Sequence, residues 1–234
     1  MAAPTVNTVN SGGGSAVTSV SFSLTPGGSN RHLIVGIGFY RNTNTFVSNV
    51  TFNSVGATQD PNSMANNAST YYVQQWHLTA PAATTANVVA TFGGSTAFEI
   101  GIGAVAFADA DQSTPIGTAV ATSGTSTSPA SPSMSSSADD LIIDTLTIVH
   151  NGTLTPSGGQ TQRWNATVAG FIKTAGSTKA GAASVSTGWG NTTSQAWAIA
   201  AVPIRGIVAG GGNKAGPLAS GPILKSLVGG ALAA

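Results

Sequence analysis

Four apolar runs recur along the chain, the first two thinned with glycine: His32–Tyr40 (HLIVGIGFY), Phe98–Phe107 (FEIGIGAVAF), Leu141–Val149 (LIIDTLTIV) and Ala196–Ile204 (AWAIAAVPI). Runs this short, bounded by turn residues, read as long inward-facing strands, two in each half, that make the core of a β-sandwich. Shorter stretches between them alternate. Ala16–Thr25 sets Val20, Phe22 and Leu24 against Ser19, Ser21 and Ser23, and Val47–Phe52 puts Val50 and Phe52 on one side. Thr70–Leu78 places Tyr72, Gln74 and Trp76 opposite Tyr71, Val73, Gln75 and His77. Ala86–Phe92 and Ile116–Ala121 add further strands, whereas Asp60–Ser69, with Pro61, reads as a long loop. Apolar residues at helical spacing are rare before residue 206. The pattern predicts an all-β fold, a two-sheet antiparallel β-sandwich of jelly-roll type with extended arms at both ends.

The second half repeats the grammar of the first. Asn30–Tyr40 matches Asp139–Val149, and Phe98–Phe107 matches Gln195–Ile204. Gln75-Trp76 is set beside Gln162-Arg163-Trp164, and Asn87–Phe92 beside Ala182–Thr187. Three regions follow: an N-terminal arm and glycine linker over 1–15, a sandwich domain over 16–206, and a Gly/Pro/Leu-rich arm over 207–234. Extended, that last arm would reach on the order of 90 Å. Its open fates are disorder, a strap along its own domain and docking on a neighbouring subunit; Leu218, Ile223, Leu224, Leu227, Val228 and Leu232 make it too apolar for a segment that only solvates and favour docking.

Composition narrows the function. Charged residues are 6% of the 234, against roughly 25% in an ordinary soluble domain, so surface polarity comes from Ser, Thr, Asn, Gln and Gly. A net charge of +1 and scattered Lys and Arg provide no basic stripe for nucleic acid. No cysteine is present, which removes disulfides and thiolate metal sites. The first fifteen residues lack the basic and apolar regions of a secretion signal, and no apolar run approaches the roughly 20 residues of a membrane span. The expectation is a protein made in the cytoplasm, with no membrane partner.

No catalytic or cofactor motif stands out. Asp109-Ala110-Asp111 has no further acidic ligand nearby and reads as a turn with capping carboxylates. Asp144 lies in an apolar strand and requires a partner, Arg163 or a backbone donor. His32, His77 and His150 have no companion at metal spacing, and Glu99, the one glutamate, has no paired carboxylate in sequence. Asn-x-Ser/Thr sequons begin at Asn49, Asn67, Asn151, Asn165 and Asn191 and read as chance in so Asn- and Thr-rich a chain. Trp76 and Trp197 read as core. Tyr71, Trp164 and Trp189 read as the aromatics able to contact a glycan. The protein is expected not to be an enzyme, and to hold no metal and no cofactor.

Several segments together resemble a β-sandwich module of tailed-phage virion proteins and large bacterial surface proteins. They are Leu33-Ile34-Val35, Val50-Thr51-Phe52, Gln75–Leu78, Asp111–Thr118, Asp140–Asp144, Gln160–Trp164 and Trp197–Ile204, and the resemblance spans about residues 16 to 205. The resemblance implies a non-enzymatic virion accessory protein, such as a head decoration (cement) protein, a head fibre or a tail appendage. Its implied partners are further copies, other virion proteins and, in an adhesive alternative, a host-surface glycan.

Overall fold

The computed structural model describes residues 2–41, 46–94, 97–149, 152–168 and 170–207. The apolar end Leu218–Leu232, with His150 and Asn151, therefore lies outside the described residues. No helix occurs among those described, and the strands are antiparallel throughout. The first half contains β1 (Thr5–Val17), β2 (Ser19–Leu24), β3 (His32–Tyr40), β4 (Phe46–Phe52), β5 (Val55–Gly56), β6 (Thr58–Gln59), β7 (Ala65–Asn67), β8 (Tyr71–Thr79), β9 (Ala86–Gly93) and β10 (Ala97–Ala108). The second contains β11 (Val120–Ser126), β12 (Leu141–Val149), β13 (Leu154–Pro156), β14 (Gln160–Val168), β15 (Ile172–Ala180), β16 (Trp189–Asn191) and β17 (Gln195–Ile204).

Each half is a jelly roll, with the chain crossing repeatedly between an inner and an outer sheet. The first inner sheet runs β1-β10-β3-β8-β6, with β7 also on β8, and the first outer sheet runs β2-β9-β4-β5. The second inner sheet, β11-β17-β12-β15-β14, repeats the first strand for strand. Its outer layer is β13-β16, extended by the bridges Ala130↔Gly188 and Met134↔Val185. The duplication is thus structural, with one correction. β8 corresponds to β15, not to the Gln162–Trp164 strand, because β8 and β15 each flank the central strand of their sheet.

The two inner sheets lie face to face, so the strands form stacked layers rather than a single pair of sheets. Val35, Ile37, Phe39, Val50, Phe52 and Val88 fill the first sandwich, and Leu146, Ile148, Leu154, Trp189 and Trp197 the second. Between the inner sheets, Ile34, Val105 and Phe107 meet Ile143, Val202 and Ile204. Farther along this seam the first sheet offers glycine and the second offers threonine. A methyl carbon on Gly36 would lie 2.0 Å from Thr145 Oγ1, and one on Gly38 2.0 Å from Thr147 Oγ1. The hydroxyls spend this proximity on hydrogen bonds across the seam. Thr147 Oγ1 donates to Tyr72 O at 2.9 Å, and Gln75 Nε2 donates to Ile143 O and Thr145 Oγ1, both at 3.2 Å. Register between the jelly rolls is therefore set by polar contacts as well as by shape.

The seam also explains two departures from the sequence reading. Ser11–Ser15 is not a flexible linker but part of β1, which pairs with β10 from Thr5 to Val17. Its glycines admit neighbours: a methyl on Gly12 would meet Phe22 and one on Gly13 would meet Val168, each at 2.9 Å. The strand β15 (IKTAGSTKA) carries almost no hydrophobic signal, yet Thr174–Thr178 are buried: Thr174 and Gly176 fit against the glycine face and Trp164, while Ala175 packs in the second core and Ser177 bonds Asp144.

Candidate functional site

At one end of the seam, where β3 finishes, three rings form a row. Tyr40 and Tyr71 are register partners on β3 and β8, and they follow Gly38 and Val73 on the face turned to the second jelly roll. Their rings stack at 5.5 Å with 25° between planes. Phe171, from the turn joining β14 to β15, stacks on Tyr40 at 5.9 Å and 16°. Its side of the row faces outward, and Phe171 is 64% exposed. Burial and the neighbouring Tyr40 hold the Tyr71 phenol above its ordinary range.

The turn that presents Phe171 is fixed by Glu99. Register puts Glu99 on β10 opposite Tyr40, and its buried carboxylate accepts from Phe171 N at 3.0 Å and Ile172 N at 2.8 Å. A buried carboxylate is costly unless donors surround it, and here the donors are the backbone of the aromatic turn. Beside the row, Arg41 lies over the Tyr72 ring, 4.1 Å from its centroid, and bonds the Tyr72 hydroxyl. Lys173 Nζ donates to Gly152 O.

A second polar cluster sits at the opposite end of the seam. His77 Nδ1 bonds the buried Asp60 carboxylate, and the His77 and His32 rings stack at 5.6 Å. His32 is fully buried, and burial, reinforced by His77, lowers its pKa to about 3 from 6.5. Burial pushes Asp60 upward, against the opposing pull of His77. Below pH 6.5 the unfolded chain takes up a proton that folded His32 refuses. Stability is therefore lost as pH falls from 6.5 toward 3. His32→Gln should lessen that loss, read as the difference in urea midpoint between pH 7.5 and 4.5. Equal losses in both proteins would contradict it.

The third cluster is inside the second jelly roll. Asp144 Oδ1 accepts from Ser177 N at 2.7 Å and Trp189 Nε1 at 3.4 Å, and Oδ2 accepts from Ser177 Oγ at 2.9 Å and Gln160 Nε2 at 3.3 Å. Burial still raises its pKa to about 7. The backbone donor expected for Asp144 is thus Ser177. Arg163 is not a partner, since its Nε donates to Thr178 Oγ1 at 2.8 Å. The Asp111 region is a capped turn, as its spacing suggests: Asp111 Oδ1 accepts from Ser113 N, Ser113 Oγ and Thr114 N. These bonds, that from Thr114 foremost, hold its carboxyl below the usual range. A groove of about 540 Å³ beside it is lined by Asp111, Asp140, Arg205 and residues 135–137. Among the described residues, no three His, Asp or Glu side chains gather as metal ligands.

Of the three aromatics singled out for glycan contact, the structure places only Tyr71 near the surface. Trp164 and Trp189 are 4% and 1% exposed and belong to the interior. Trp164 fills the space left by two glycines, since methyls on Gly103 and Gly176 would come within 2.1 and 2.0 Å of its ring. Trp189 is held by Asp144 and packs with Leu146, Leu154 and Trp197. Sequence reasoning missed Phe171, and its one signal was an aromatic residue directly after Gly170 in the short apolar run Val168–Ile172 between two polar stretches. No protein-family model, curated protein sequence or solved structure matches this chain.

Proposed function

We propose that the chain is a non-enzymatic structural protein of a tailed-phage virion, a head decoration or head-fibre subunit. The observation that carries this reading is the body itself: two jelly rolls locked back to back through interdigitated glycine and threonine. Such a seam leaves no room for hinge or shear motion between the halves, which suits a load-bearing spacer. The residue order that resembles virion modules spans both halves of this body. With charge at 6% of residues, contacts to neighbours would rest on backbone pairing and small apolar groups. They would change little with ionic strength.

Both ends of the described chain lie together, since Ala2 bridges Ile207 beside the His32 end. Segment 208–234, with Leu218, Ile223, Leu224, Leu227, Val228 and Leu232, is the proposed docking arm to a neighbouring subunit. Light scattering on the full chain and on a chain ending at Ile207 tests this. The full chain should exceed the 23.0 kDa of one copy at both low and high salt, while the shortened chain stays folded at the mass of one copy. A full chain that remains a single copy, or a shortened chain that still associates, rejects docking between copies.

A further inference from the structure

We infer that the Tyr71–Tyr40–Phe171 row is a binding site for neutral carbohydrate, with a pyranose ring seated on Phe171. The ring is displayed, and its position is built. Phe171 is the most exposed of the large hydrophobic residues described, backed by Tyr40 and clamped through its own backbone by the one glutamate of the chain. An aromatic face carries negative quadrupole charge and attracts the polarised C–H groups along one side of a sugar ring.

Charge and area select among ligands. The described cations adjoining the row in the chain, Arg41 and Lys173, are engaged by Tyr72 and by Gly152 O, so neither is set out for an anion. The polar groups carried by the row itself are neutral, the phenols of Tyr40 and Tyr71. The exposed part of Phe171 offers on the order of 130 Å². That is the scale of one ring face, as a single pyranose presents. The row also lies at the Tyr40 end of β3, whereas Ile207, the last described residue, lies at the His32 end.

Affinity electrophoresis of the full chain through gels containing hydroxyethyl cellulose, glycogen or galactomannan tests the site, independently of any role in a virion. Retardation is expected in at least one gel. Phe171→Ala should weaken it roughly tenfold, while Phe171→Trp preserves it and Phe46→Ala, which removes the exposed phenyl of β4, leaves it unchanged. Matching thermal midpoints show that each variant is folded. Three gels without retardation, undiminished binding by Phe171→Ala, or loss of binding in Phe171→Trp at an unchanged midpoint would overturn the assignment. Loss of self-association in Phe171→Ala, without any sugar effect, would reassign the row to a second copy of the chain.

Discussion

Gly38→Val is expected to cost about 3 kcal/mol or more and to lower the melting temperature by roughly 10 °C. The new side chain would begin with a carbon 2.0 Å from Thr147 Oγ1 and 2.6 Å from Thr174 Cγ2. Neither neighbour is a flexible tip that can swing away. Thr147 is held by its bond to Tyr72 O, and Thr174 is also pressed against Gly101. The inner sheets must separate, and the hydrogen bonds across the seam stretch with them. Gly56→Ala is the control, because nothing lies within 4 Å of a methyl there. Thr147→Ala should recover part of the Gly38→Val loss, since each change acts on the same contact. Calorimetry showing Gly38→Val as stable as Gly56→Ala would mean that the jelly rolls do not meet as described.

Asp144→Ala is expected to destabilise the second jelly roll by roughly 3–4 kcal/mol. It strands donors from Ser177, Gln160 and Trp189 in a dry interior. The effect should depend on pH with a definite sign. Because the folded pKa is raised to about 7 from 3.8, the fold holds this proton more tightly than the unfolded chain. The resulting stability is fully present below pH 3.8 and is lost as pH rises through about 7. Urea titrations at pH 5 and pH 8 should therefore show wild type losing stability on the way up and Asp144→Asn changing less. His32 drives the opposite trend on the acid side, so the comparison with the variant, not the raw profile, isolates Asp144. Parallel behaviour of the two proteins would show that Asp144 does not titrate in this range.

Strands buried by large aliphatic side chains were legible in sequence. His32–Tyr40, Leu141–Val149 and Ala196–Ile204 coincide with β3, β12 and the body of β17, because Ile, Leu and Val on both faces leave no other reading. Strands buried by shape were not legible. In β15 the buried residues are Thr, Ala, Gly and Ser, and in β1 the decisive residues are consecutive glycines. What buries them is a matching surface on a distant strand, which no local pattern contains. The same cause misplaced the tryptophans. Trp164 looked exposed in the polar setting Gln162-Arg163-Trp164-Asn165, yet Gly103 and Gly176 make a slot for it from two other strands. Tyr71 stood out as an aromatic at a strand start. Its row with Tyr40 and Phe171 depends on the packing of one jelly roll on the other.

The proposed role turns on whether the chain is a component of particles. Lysate from cells making the full chain with its virion would be banded on a density gradient, and the particle band analysed by mass spectrometry. The account predicts the full chain in the particle band, at copy numbers comparable with other structural proteins and unchanged by a high-salt wash, while a chain ending at Ile207 stays at the top of the gradient. A full-length chain that remains at the top with the soluble proteins would contradict it.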